Sequence, residues 1–328
     1  MPEQKLIKVL SIDGGGIRGI IPGMVLAEIE QHTGKPVALL FDLIAGTSTG
    51  GILALGLTKP DPQNPSQPQY SAHQTLEMYT RGGPRIFPHS FLHELTTAGS
   101  LLGEKYPADG IEEVLDQYFG EARLKEALTD VIISSYDTER RDTYFFKSAA
   151  AKTEADRDFP IKQVARATSA APTYFEPLKL DLPGGTDYYS LIDGGVFANN
   201  PAMCAYIEAL CKKESQDILL VSLGTGEATH PLPHKEVKDW GLVNWARPLL
   251  DVVFDAVSDC VDYQLKSLLS TERNSTRRYY RFQTRLDEND KSMDITTQDH
   301  LRNLQLAGER LIKECDQDLD MLCQQLLG

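Results

Sequence analysis

The residues best suited to chemistry lie in the run Gly46-Thr47-Ser48-Thr49-Gly50, a G-x-S-x-G pattern. An apolar strand pattern over residues 39–45 precedes it, and a helical pattern over 50–57 comes after it. A nucleophile elbow needs that strand–turn–helix setting, with the serine on a strained turn where side chains two positions away would collide. A helix starting just after Ser48 also aims the positive end of its dipole at negative charge developing on a substrate. Ser48 is therefore the candidate nucleophile. The bland alternative is a tight glycine turn with an incidental serine.

A second glycine cluster, Asp13-Gly14-Gly15-Gly16-Ile17-Arg18-Gly19, falls between a strand pattern over residues 8–12 and a helix. Gly14, Gly16 and Gly19 match G-x-G-x-x-G, so a dinucleotide site has to be weighed. That site wants an acidic residue ending the second strand. Asp42 lies near its start instead, and Glu28 and Glu30 lie in the helix. A Walker A loop fails, because no Gly-Lys-Ser/Thr occurs. Consecutive glycines suit an oxyanion hole better, since backbone N–H groups can approach a tetrahedral oxyanion with no Cβ in the way. Gly14, Gly15 and Gly16 are the expected donors. Arg18 either reinforces their positive field or anchors the loop, and the sequence does not separate the two.

A serine needs a base. None of His32, His73, His89, His93, His230, His234 and His300 sits in a strand-end turn followed by a helix cap. Asp193 differs: it ends the apolar stretch 189–192 and precedes Gly194-Gly195, which leaves its carboxylate uncrowded. Alone it would read as an aspartate in a β-turn. Beside an elbow serine, and with no convincing histidine, it is the preferred base. An ordinary aspartate pKa of ~3.9 is low for this task. Burial must raise it, and oxyanion stabilisation must carry much of the barrier.

The elements that hold these residues alternate. Further strand patterns cover 131–134, 143–146 and 218–223, and another ends at Ile192. Pro22 fits the first turn of a helix that Gly34 stops. Residues 58–70, with Pro60, Pro62, Pro65 and Pro68, form a surface loop. After Trp240 the pattern is helical, over 249–269 and 301–327. Strands separated by helices imply crossovers, hence an α/β fold with a mostly parallel central sheet and helices on both faces. One domain is expected over residues 1–328, with a core at about 6–230 and a helical C-terminal portion at about 240–328. Residues 81–107 carry Ile86, Phe87, Phe91, Leu92, Leu101 and Leu102, with Gly82-Gly83 as a hinge candidate. They read either as a core-packed helix or as an apolar wall or cover for acyl chains.

The 328 residues are 41% hydrophobic and 24% charged, which rules out a disordered chain, a collagen or a coiled-coil rod. Lys and Arg total 33 against 47 Asp and Glu, a formal net charge of −14. Such a chain is a poor sequence-independent nucleic-acid binder, and charge alone would not dock it on anionic lipid. The longest uncharged stretch, 43–58, is too short and too glycine-rich to cross a bilayer. The polar N-terminus lacks the pattern of a secretory signal, so a soluble cytoplasmic protein is expected. Five cysteines, an odd number with no C-x-x-C, read as reduced and mostly buried thiols, with no zinc spacing. The sequon at Asn274 is expected to be idle.

The three motifs, residues 13–19, 46–50 and 193–195, occur in the order seen in the patatin-like phospholipases, and the chain resembles that family. The run 166–175 (Arg-Ala-Thr-Ser-Ala-Ala-Pro-Thr-Tyr-Phe) is similar to the family's segment between nucleophile and aspartate. The run 194–201 resembles its stretch after the aspartate, and 222–226 resembles its next strand and turn. The likeness is strong over about 6–230 and loose in the helical tail. It implies a Ser48–Asp193 dyad, oxyanion donors in Gly14–Gly16, and hydrolysis of acyl esters of phospholipids and related lipids without metal or cofactor. The same resemblance implies phospholipase A and lysophospholipase reactions, acyl transfer to other acceptors, and transient contact with a membrane or micelle surface.

Overall fold

The computed structural model describes residues 6–88, 106–182, 185, 187–212, 217–228, 231–269 and 276–328. Its centre is an eight-stranded sheet in the order β5-β6-β3-β2-β1-β7-β9, with β4 paired to β3 off this path. The strands are β1 (Ile7–Ile12), β2 (Leu43–Gly46), β3 (Asp130–Asp137), β4 (Asp142–Lys147), β5 (Leu178–Asp181), β6 (Tyr188–Asp193) and β7 (Ile218–Leu223). A two-residue β8 (Glu227–Ala228) lies outside the main sheet, which β9 (Tyr279–Phe282) completes; β10 (Arg285–Leu286) pairs with β8. The pairings β3–β2–β1–β7–β9 are all parallel, whereas β4 and β6 run antiparallel to β3. The mostly parallel α/β expectation therefore holds, with an antiparallel margin.

Alternate residues of the central strands feed two cores. Leu10, Ile12, Ile44, Leu219 and Val221 pack on one face; Val9, Leu43, Ala45, Ile218 and Leu220 pack on the other. Burial on both faces explains why these strands read as continuous apolar runs, with no polar alternation. On the first face lie α1 (Ile20–Thr33), α2 (Thr49–Thr58), α3 (Ala72–Ile86), α4 (Asp109–Phe119) and α5 (Ile161–Thr168). The second is covered by α6 (Ala202–Lys212) and the end of α7 (Leu242–Leu268). The first core is closed by α8 (Gln298–Glu314) and α9 (Asp316–Leu327).

Several expectations change at this level. Residues 37–39 form a 3-10 turn, so the second strand starts only at Leu43. The expected helix over 301–327 is two helices meeting at Cys315. Gly82 and Gly83 do not make a hinge: they sit inside α3, packed against Val114 and Ile17 respectively, where their missing side chains let the elements approach. Among the described residues all five cysteines are free, but only Cys323 is buried, and Cys211 and Cys260 are exposed. No helix among the described residues is long and apolar enough to cross a membrane. Phe91, Leu92, Leu101, Leu102 and Asn274 lie outside the described residues.

The topology brings two strand ends together. Gly46, closing β2, stands opposite Ile133 of β3. Asp193, closing β6, stands opposite Ser135, two residues further along the same edge. Because β2 is parallel to β3 and β6 is antiparallel, the two chains run toward each other and finish face to face.

Candidate active site

Ser48 occupies the turn between β2 and α2 with φ 53° and ψ −123°, a left-handed φ that a non-glycine residue rarely adopts. The flanking glycines make the turn sterically feasible. A Cβ on Gly46 would strike the Gly50 carbonyl, and one on Gly50 would strike the carbonyl of Ile12. The Ser48 amide donates to Thr168 Oγ1 at 2.9 Å, and that hydroxyl donates to the Ser134 carbonyl at 2.6 Å. Thr47 Oγ1 donates to the Ala198 carbonyl at 2.6 Å. Strain at the serine is thus held by neighbours on both sides.

Asp193 is buried and lines the same cavity as the half-buried Ser48. Its own amide donates to the Ala170 carbonyl at 3.0 Å. Desolvation pushes its carboxyl up to about 7. The Ser48 hydroxyl and the Gly195 amide, which donates to Oδ1 at 2.7 Å, act in the opposite direction and only partly offset burial. A carboxylate in this range is a far better base for a hydroxyl than an exposed aspartate. Gly194 leaves room for Ser134, whose hydroxyl a Cβ there would strike.

The glycine loop packs beside this pair but differs from expectation in one donor. The Gly14 amide is spent on the Asn199 carbonyl at 3.0 Å, and the Gly14 carbonyl accepts from Thr225 Oγ1 at 2.7 Å. Gly14 is therefore a structural member of the loop. The amides of Gly15 and Gly16 have no acceptor among the described residues, and both residues line the cavity with Ser48. Gly16 has φ +59°, and a Cβ there would also meet the Met293 carbonyl. Gly19 packs against the Thr49 hydroxyl. Arg18 is buried, its Nε reaching the Gly15 carbonyl at 3.4 Å, and it lines a polar cavity with Asp13, Thr225 and Gln283 without lining that of Ser48. This favours the anchoring role for Arg18.

Beyond Ser48 and Asp193 the cavity wall is mostly apolar, with Ile17, Ile52, Met78, Ile86, Phe87, Val114, Leu115 and Phe175, and Thr49, Ser169 and Asn199 among its few polar members. Of the residues expected as an acyl wall, Ile86 and Phe87 are there. None of the described histidines lines it: His32 pairs with Glu28 and Asp320, His73 and His234 are exposed, and buried His300 meets the Ser292 carbonyl. His89, His93 and His230 lie outside the described residues.

The model of the patatin-like phospholipase family matches residues 10–206, more than half of the chain and all three motifs. The chain belongs to the patatin-like phospholipase family. Patatin-like protein 2 of Arabidopsis thaliana is 34% identical over 94% of this chain and 83% of its own length. Patatin-like protein 1 from the same plant is 32% identical over 94% and 81%. Patatin-08 of Solanum tuberosum is 31% identical over 95% and 85%. As a patatin-like phospholipase the protein is a serine-nucleophile carboxylic ester hydrolase of lipid substrates.

Sequence reasoning missed several contributors to this patatin-like site. Thr168 and Ala170, which hold the amides of Ser48 and Asp193, lie in a segment that stands out only by its resemblance. Asn199 and Thr225, which grip Gly14, likewise lie in family-like runs, but no local pattern gives them a task. Phe254 and Met293 reach the cavity from the C-terminal portion, and only the tertiary fold brings them there.

Proposed function

We propose that this patatin-like phospholipase cleaves carboxylic esters of phospholipids and lysophospholipids through a Ser48–Asp193 dyad and an acyl-enzyme. The observation that carries the reading is the pair itself: an elbow serine and a buried carboxyl of raised pKa line one predominantly apolar cavity. Deprotonated Asp193 takes the Ser48 proton as Oγ attacks the ester carbonyl. The carbonyl electron pair moves onto oxygen, where the amides of Gly15 and Gly16 and the start of α2 stabilise it. Collapse expels the alkoxide of the lysophospholipid or glycerophosphodiester, which takes the proton back from Asp193. Asp193 then deprotonates a water that attacks the Ser48 ester, and the fatty acid leaves. An alcohol in place of that water gives acyl transfer as a side reaction. The apolar wall suits the acyl chain, at ~0.8 kcal/mol per buried methylene. Substrate drawn from a membrane or micelle makes contact with that surface transient.

The test is fatty-acid release from phosphatidylcholine, lysophosphatidylcholine and a short p-nitrophenyl ester, in excess chelator. The wild type should hydrolyse them and Ser48→Ala should not. A folded wild type inert on all three contradicts the reading.

A further inference from the structure

Arg281 lies on β9, outside the residues matched by the family model. Its Nη2 donates to Asp13 Oδ2 at 2.6 Å, and its Nη1 donates to Ser222 Oγ at 2.9 Å. Both members of the ion pair are withdrawn from water, their side chains 9% and 2% exposed. Asp13 is the residue from which the glycine loop springs. Its amide donates to the Leu223 carbonyl at 2.9 Å, so the loop leaves a residue tied by both backbone and side chain to β7 and β9. Gly14 is gripped by Asn199 and Thr225, and the Ile17 amide closes the far end on the Met293 carbonyl at 2.8 Å. Between these ties stand the amides of Gly15 and Gly16.

We propose that Arg281 is a positioning residue for the hydrolysis: by holding Asp13 it fixes the aim of the Gly15 and Gly16 amides at the oxyanion, without touching substrate. The inference rests on the dyad reading above. Oxyanion donors work only when aimed at the position the charged oxygen will take, and small displacements forfeit much of their effect. Without Arg281, Asp13 would be a buried and uncompensated carboxyl. Desolvation already lifts it to about 6 against the pull of Arg281. Its escape route is the polar cavity that it lines with Arg18, Thr225 and Gln283. Movement that way draws the start of the loop off the Ser48 side. β9 would thereby give the C-terminal portion a direct hold on rate.

The test compares wild type, Arg281→Met, Arg281→Lys and Asp13→Asn/Arg281→Met on a water-soluble ester, with Ser48→Ala as reference. For Arg281→Met the expected result is a kcat lower by ~10²-fold, the scale of losing one oxyanion donor. KM should stay within about threefold, and Arg281→Lys should recover most of the loss. A trifluoromethyl ketone adds the Ser48 oxygen to its carbonyl carbon, with the proton passing to Asp193 and the electron pair to oxygen. Its affinity should fall by the same factor as kcat, which a merely structural role for Arg281 would not produce. If Arg281→Met does not fold, the double variant, which leaves no lone buried charge, should show the same split. A folded variant with kcat within threefold of wild type, or with the loss confined to KM, overturns the clamp alone. A wild type inert on esters overturns the dyad reading and the clamp with it.

Discussion

Ser48 and Asp193 hang from one short stretch of chain: the Ser48 amide donates to Thr168 Oγ1, and the Asp193 amide donates to the Ala170 carbonyl. Two residues of separation at the end of α5 therefore help set the spacing of Ser48 and Asp193. The β3 register sets it a second time, with Gly46 opposite Ile133 and Asp193 opposite Ser135. The two ties are themselves joined, because Thr168 Oγ1 donates to the Ser134 carbonyl of β3, and together they keep a strained serine and a desolvated carboxyl in register.

Removing one tie should cost rate and stability together. Thr168→Val leaves the Ser48 amide without its acceptor, a loss of ~1–3 kcal/mol for a buried donor. The melting temperature should drop by a few degrees and kcat by ~10-fold or more. Thr168→Ser should restore most of both, measured by calorimetry and ester hydrolysis on the same preparations.

The raised pKa of Asp193 makes two linked pH predictions. Only the deprotonated carboxyl can act as base, so kcat/KM should climb with pH and level off above an apparent pKa of about 7. Stability carries the opposite sign. The folded state binds this proton more tightly than the unfolded chain does, so the Asp193 contribution falls as pH rises from about 4 to about 7. Asp193→Asn removes that cost. Its melting temperature should exceed that of the wild type by more at pH 8 than at pH 5, and a constant difference would contradict the buried, neutralisable carboxyl.

The cavity makes a specificity prediction. Val114 is fully buried on α4 and lines the wall. Val114→Phe fills space, at ~1–3 kcal/mol of overpacking. The ratio of kcat/KM for sixteen-carbon over four-carbon esters should fall by ~10-fold or more. Phe87→Ala should raise the longest chain accepted. An unchanged chain-length profile in both would mean the acyl chain lies elsewhere.

The parts of the site legible in the sequence are those where chemistry dictates local spacing. Glycines two positions either side of Ser48 are a steric requirement of one turn, and Gly194-Gly195 after Asp193 is another. Parallel order could be read from alternating elements, but the direction of β6 could not, because side-chain alternation is the same either way. β9 escaped notice because four residues, Tyr279–Phe282, give too short a pattern. The bond from the Gly14 amide to the Asn199 carbonyl is equally hidden in the sequence, because its acceptor lies far along the chain. Arg281 left no local trace at all, since its partner is 268 positions away.

The central claim is that Asp193 is the base for Ser48. The most direct measurement is kcat/KM on one ester for wild type, Ser48→Ala, Asp193→Asn and the double variant, with folding confirmed by circular dichroism. Residues acting as a unit are non-additive. Each single variant should fall by ~10⁴-fold or more, and the double variant should be no worse than the poorer single. Asp193→Asn folded and within tenfold of wild type would contradict the account.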